Sequence, residues 1–62
     1  MDLKQMRLDK GLTQEDVANR VGVTRAAVVY WEKGQTPRVK YLPKLARVLG
    51  CSVEKLLRMY AG

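Results

Sequence analysis

The chain has 62 residues and a mass of 7.1 kDa, a size that implies one small domain burying about 60% of the surface its unfolded form exposes. That leaves no room for a deep catalytic cleft, the single cysteine excludes an intramolecular disulfide, and the absence of histidine argues against a zinc-stapled miniprotein. Twelve Lys and Arg against six Asp and Glu give a net charge of +6 and a pI near 9.9, a field that favours polyanions, nucleic acid before an anionic membrane surface.

The polarity is uneven along the chain. Between Lys33 and Lys55 the basic residues Lys33, Arg38, Lys40, Lys44, Arg47 and Lys55 face one acid, Glu54. Met1 to Lys4 opens no apolar leader, and no uncharged stretch approaches the ~18 residues of a membrane span. The free Cys51 suits a reducing interior. These features predict a cytoplasmic protein.

In chain order the periodicity reads as helix throughout. Leu3, Met6 and Arg7 share one face of a first helix that Gly11 ends, and Leu12 folds back on it. Thr13 is an N-cap with Asp16 completing a short-armed capping box. The second helix buries Val17, Ala18 and Val21 and stops at Gly22. Thr24 caps a third helix from about Arg25 to Lys33, with Val28 and Trp31 inward. Gln35–Arg38 is a loop. Pro43, tolerated in a first turn, places a fourth helix near Leu42, with Leu42, Leu45, Ala46 and Leu49 as its stripe. Gly50 ends it, and Ser52 caps a fifth helix with an expected inner face of Val53, Leu56, Leu57 and Tyr60. Helices this short are marginal alone, so the prediction is an all-α, compact five-helix bundle over residues 1–62.

Residues 14–33 carry the functional signal. Two short helices joined by a three-residue, glycine-containing turn have the geometry of a helix-turn-helix. Ala18 is the small residue a steep crossing requires, and Gly22 can adopt positive φ in the turn. Val28 and Trp31 supply the apolar underside of the second element, backed by Val17, Val21 and Val23.

The run RLDKGLTQEDVANRVGVTRAAVVYWEKGQTPR resembles the helix-turn-helix domain of phage repressor and Cro proteins, the XRE-like family, and LPKLARVLGCSVEKLL is similar to that family's fourth and fifth helices. The resemblance covers about Leu3 to Leu57. It implies a lambda-repressor-like bundle whose third helix enters the DNA major groove, usually as a dimer on a palindromic operator. It also implies base contacts from Thr24, Arg25, Ala26, Val29 and Tyr30. Phosphate contacts are implied for Thr13, Gln14, Lys33, Gln35, Arg38 and Lys40, and a structural ion pair for Arg7 with Glu32. Many relatives carry Gln, Ser or Asn on the reading face, whereas Ala26, Ala27, Val28 and Val29 form an apolar run here, so few direct hydrogen bonds to bases are expected.

Several residues admit a plainer reading. Arg25 stands at the positive end of a helix dipole, unfavourable for a cation unless guanine or phosphate draws it there; simple solvation is the alternative. Ala26 and Val29 are either helix surface or contacts to thymine methyls. Tyr30 is core or groove-facing, and Arg38 and Lys40 are phosphate contacts or solvated loop. Trp31 is core, Cys51 a small hydrophobe, and Lys4, Lys10 and Arg58 surface charge.

No nucleophile–base pair, carboxylate pair or phosphate loop is present, so no enzymatic activity and no cofactor or metal are expected. The leading function is sequence-specific binding of a double-stranded DNA operator by a transcriptional regulator, a repressor of Cro-like or controller-like type, since the sequence ends at Gly62 without a sensing domain. The alternative is a protein-binding module such as an antitoxin. A lone recognition helix reads too few base pairs to select one genomic site, so a homodimer, weak or induced by DNA, is expected. Its interface is placed on helix five, at Val53, Glu54, Leu57 and Arg58, with Glu54 and Arg58 pairing across the two-fold axis.

Overall fold

Caps place the helix boundaries. The computed structural model describes residues 2–61; Met1 and Gly62, the ends of the sequence reading, lie outside the described residues. Helices α1 (Leu3–Asp9), α2 (Gln14–Val21), α3 (Arg25–Glu32), α4 (Leu42–Leu49) and α5 (Val53–Ala61) follow in order, with a 3₁₀ turn at Val39–Tyr41 before α4. Four N-termini have a side-chain oxygen accepting an otherwise orphan backbone N–H: Asp2 from Gln5 at 2.8 Å, Thr13 from Asp16 at 3.0 Å, Thr24 from Ala27 at 3.3 Å and Ser52 from Lys55 at 3.1 Å. The fifth, α4, has no side-chain cap and carries Pro43 as its second residue, whose missing N–H removes one donor from that first turn.

At the other ends the chain must reverse within one or two residues. Gly22 does this at φ 87° and Gly50 at φ 71°, a region where a Cβ is unfavourable.

Helices of seven to nine residues owe their stability to shared burial. The core is Leu3 and Met6 of α1, Val17, Ala18 and Val21 of α2, Val28 and Trp31 of α3, all four stripe residues of α4, and Leu56 of α5. Val17, Val28, Leu45 and Leu56 are fully enclosed, each worth roughly 1.5–3 kcal/mol of burial. Helix α2 lies against both α3 and α4, so it is the bed on which α3 sits.

Three features depart from the sequence reading. Helix α3 ends at Glu32, with Lys33 as its cap. The stretch before α4 is a 3₁₀ turn, fastened by the Tyr41 ring set 6.1 Å from the Trp31 ring at 43°. Leu57 is not on the inner face: it is 46% exposed, and Met59 packs against the core instead. With Leu56 enclosed, a residue 100° further round the helix is carried outward, so the inner row runs Val53, Leu56 and Met59–Tyr60.

Tyr60 anchors α5 to the end of α3. Its hydroxyl donates to the Trp31 carbonyl at 2.9 Å, and burial first, then the negative charges of Glu32 and Asp2, push its pKa up to about 12. Folding thus raises this acid above its unfolded value near 10, so the stability Tyr60 adds is complete below pH 10 and is lost as pH rises through about 12. Absorbance titration should show a phenol ionising near 12 that is missing from Tyr60→Phe, and denaturant melts should show the two proteins' stabilities drifting together across that window.

Candidate nucleic-acid interface

The site is assembled from a buried charge outward. Arg7 lies in the last turn of α1, where its guanidinium Nε donates to Glu32 Oε2 at 2.6 Å and Nη2 to Glu32 Oε1 at 3.3 Å. The side chains are 9% and 7% exposed, so both ions are stripped of most water and depend on one another. The remaining donor, Nη1, reaches the Leu12 carbonyl at 2.9 Å, fixing the turn between α1 and α2.

Glu32 Oε1 also accepts from Gln14 Nε2 at 3.0 Å, and Gln14 Oε1 accepts from Arg25 Nε at 3.3 Å. One chain of hydrogen bonds therefore runs from α1 through the end of α3 and the start of α2 to the first residue of α3. The amide of Gln14 is oriented by charge at both ends: its NH2 faces a carboxylate and its oxygen a guanidinium. Gln14, expected from the sequence to contact phosphate, has this bridging role in addition, and it is visible only once α2 and α3 are packed.

Around Arg25 the exposed side of α3 forms a continuous surface. Arg25, Ala26, Val29, Tyr30 and Lys33 line one shallow depression, and Thr24, Ala26, Tyr30, Gln35, Thr36 and Arg38 line part of a second beside it. Tyr30 is 55% exposed, pointing away from the core that Trp31 fills. The structure thus brings together Thr24, Arg25, Ala26, Val29, Tyr30, Lys33, Gln35 and Arg38. Lys40 stands apart on the 3₁₀ turn, its ammonium 5.0 Å from the centre of the Tyr41 ring.

Thr13 is partly committed already. Its hydroxyl accepts from the Asp16 N–H at 3.0 Å and its own N–H donates to Asp16 Oδ2 at 2.9 Å. The Thr13 amide and then its hydroxyl hold the Asp16 carboxyl below its usual value of 3.8.

On α5, Val53 is half-buried and Glu54, Leu57 and Arg58 are exposed. Within the chain the two charges of that set pair along the helix, Arg58 Nη2 donating to Glu54 Oε1 at 2.6 Å. The i, i+4 spacing with the acid first makes this partner the nearest one.

A helix-turn-helix family model, HTH_3, matches residues 3–56. The chain belongs to that helix-turn-helix family. It is 40% identical over 55 residues to an uncharacterized HTH-type transcriptional regulator of Archaeoglobus fulgidus, covering 87% of this chain and 78% of the relative. It is 34% identical over 56 residues to the cryptic phage CTXphi transcriptional repressor RstR of Vibrio cholerae, covering 89% of this chain and 50% of RstR. Among solved structures, the biofilm master regulator SinR in complex with DNA matches with a TM-score of 0.78 at 35% identity, over 89% of this chain and 90% of that one.

Removing either member of the Arg7–Glu32 pair strands the other as a buried ion, at a cost of about 3 kcal/mol or more, a large share of the ~3–9 kcal/mol that a domain of this length holds. Thermal melts of Arg7→Met, Glu32→Leu and the double variant should show two heavy single losses and a double loss well short of their sum.

Proposed function

We propose that this chain is a transcriptional regulator, a repressor in mode of action, that binds double-stranded DNA by laying α3 in the major groove of a palindromic operator. The observation that carries this reading is the solvent-facing side of α3. It presents Arg25, Tyr30 and Lys33 around a small apolar centre, on a helix held from beneath by Val28 and Trp31. A side chain set that faces water on a helix whose other side buries Val28 and Trp31 is available for an external partner, and the net charge of +6 favours a polyanion. The relatives named as transcriptional regulators, and the DNA complex of SinR, support the same reading.

In this reading Thr24, Arg25, Ala26, Val29 and Tyr30 face base edges, while Thr13, Gln14, Lys33, Gln35, Arg38 and Lys40 lie along the sugar–phosphate backbone. The chain acts in the cytoplasm as a homodimer through Val53, Glu54, Leu57 and Arg58. Selection from a random DNA library tests binding, symmetry and half-site spacing together; recovery of no common site would refute it.

Two sets of variants separate the contact classes. Arg38→Ala and Lys40→Ala should each weaken binding to all sequences alike and flatten the log K against log salt slope by about 0.9. Arg25→Ala should cost about 1–3 kcal/mol on the selected site and erase the preference at one position per half-site. Competition titrations against scrambled DNA at several salt concentrations read both.

Dimerisation is tested through Leu57, an apolar side chain 46% exposed. Sedimentation should give two chains per palindrome for the wild type and one for a folded Leu57→Glu variant. The half-sites should lie about 10 base pairs apart, so that both α3 helices meet one face of the duplex.

A further inference from the structure

The reading face of α3 has an unusual centre. Arg25, Val29 and Lys33 follow one another at i, i+4 and i+8, and Ala26 and Tyr30 form the row beside them. All five line one depression, to which Arg25, Tyr30 and Lys33 bring polar groups, while Ala26 and Val29 offer only methyls. The amino group of adenine or cytosine, or a bare carbonyl, placed over Ala26 and Val29 would lose water without gaining a partner. Burying such a group unpaired is unfavourable. In the major groove the apolar group that fits is the methyl on C5 of a pyrimidine.

Arg25 supplies the second half of the geometry. Gln14 holds its Nε at 3.3 Å, and among the described residues its Nη1 and Nη2 make no hydrogen bond. The guanidinium is therefore gripped by its inner edge and presents its outer two nitrogens, the arrangement that matches the N7 and O6 acceptors of guanine. Neighbours in the i, i+4 row are about 5–6 Å apart, a distance of one to two base steps of about 3.4 Å.

We infer that Ala26 and Val29 form a methyl-reading site for a C5-methylated pyrimidine beside the guanine held by Arg25. The inference deepens the DNA-binding function proposed above and rests on it. The site takes thymine and 5-methylcytosine alike, because the same methyl stands in the same place in the groove, and it binds cytosine and uracil more weakly. An operator carrying cytosine at that position would be bound more tightly once methylated, which makes the DNA's own methylation a regulatory input to this protein.

The test uses the full chain and an operator obtained by selection. Each thymine in turn is replaced by deoxyuridine, which deletes only the methyl. At one position per half-site, next to the guanine whose preference disappears in Arg25→Ala, affinity should fall about fourfold, the factor for one methyl-sized group withdrawn from apolar burial. At the same position 5-methylcytosine should exceed cytosine by a similar factor. Val29→Thr, which keeps the shape and replaces one of the two methyls with a hydroxyl, should shrink both differences while circular dichroism shows an intact fold. Equal binding of thymine and uracil at every position would overturn the methyl site and leave DNA binding standing. A methyl dependence that persists unchanged in Val29→Thr and in Ala26→Ser would overturn the assignment to these residues. Failure to select any operator would overturn the underlying function instead.

Discussion

The position of α3 and of its exposed face depends on one buried ion pair. Arg7 and Glu32 are 25 residues apart in the chain and meet at 2.6 Å with little water around them. A buried pair of this kind is weak evidence for stability, because desolvating two ions offsets most of their attraction. Its value lies in geometry. A guanidinium that has lost its water must satisfy its donors, and the two satisfied beyond Glu32's first oxygen point at Glu32 Oε1 and the Leu12 carbonyl. The pair therefore sets α1, the turn that follows it and the end of α3 in one relative position.

The same constraint propagates outward through Gln14. The carboxylate oxygen shared by Arg7 and Gln14 orients the Gln14 amide, and the amide oxygen then faces Arg25 at 3.3 Å. A long, flexible cation at the first turn of a helix, where the dipole disfavours it, is given one direction by a hydrogen bond rooted in the core. Preorganisation of this sort reduces the rotamer entropy lost when such a side chain engages a partner.

Helix α3 performs two tasks on opposite sides. Val28 is fully enclosed and Trp31 nearly so, and the C-terminal end is fastened three ways: to α1 by Glu32, to α5 by the Tyr60 hydroxyl, and to the 3₁₀ turn by the Trp31–Tyr41 contact. The outer side makes no claim on the core, so its residues are open to an external surface. Eight residues suffice for this division only because neighbours supply what the helix lacks in length.

Much of this was legible in the sequence, for reasons local to each segment. Thr13, Thr24 and Ser52 announce helix starts because a side-chain oxygen three residues ahead of an orphan N–H caps it wherever the chain goes. Gly22 and Gly50 announce stops because the left-handed region excludes other side chains at little distance from the cap. The apolar stripe of α4 is buried whole, since a period of 3.6 leaves one face for the core. Leu57 was misread because Val53, Leu56, Leu57 and Tyr60 fit that period as well as the observed row does, and which edge of α5 faces inward is decided by the bodies it meets. The hydrogen bonds made by Gln14 and by the Tyr60 hydroxyl lay beyond sequence reasoning for the same reason. Their partners, Glu32 and the Trp31 carbonyl, are 18 and 29 residues away, and such distances close only when the packed core brings the ends of α2, α3 and α5 together. The sequence by itself determined where helices begin, end and turn an apolar face; tertiary packing alone decided which polar groups meet, because a hydrogen bond across the fold requires a geometry that no local pattern encodes.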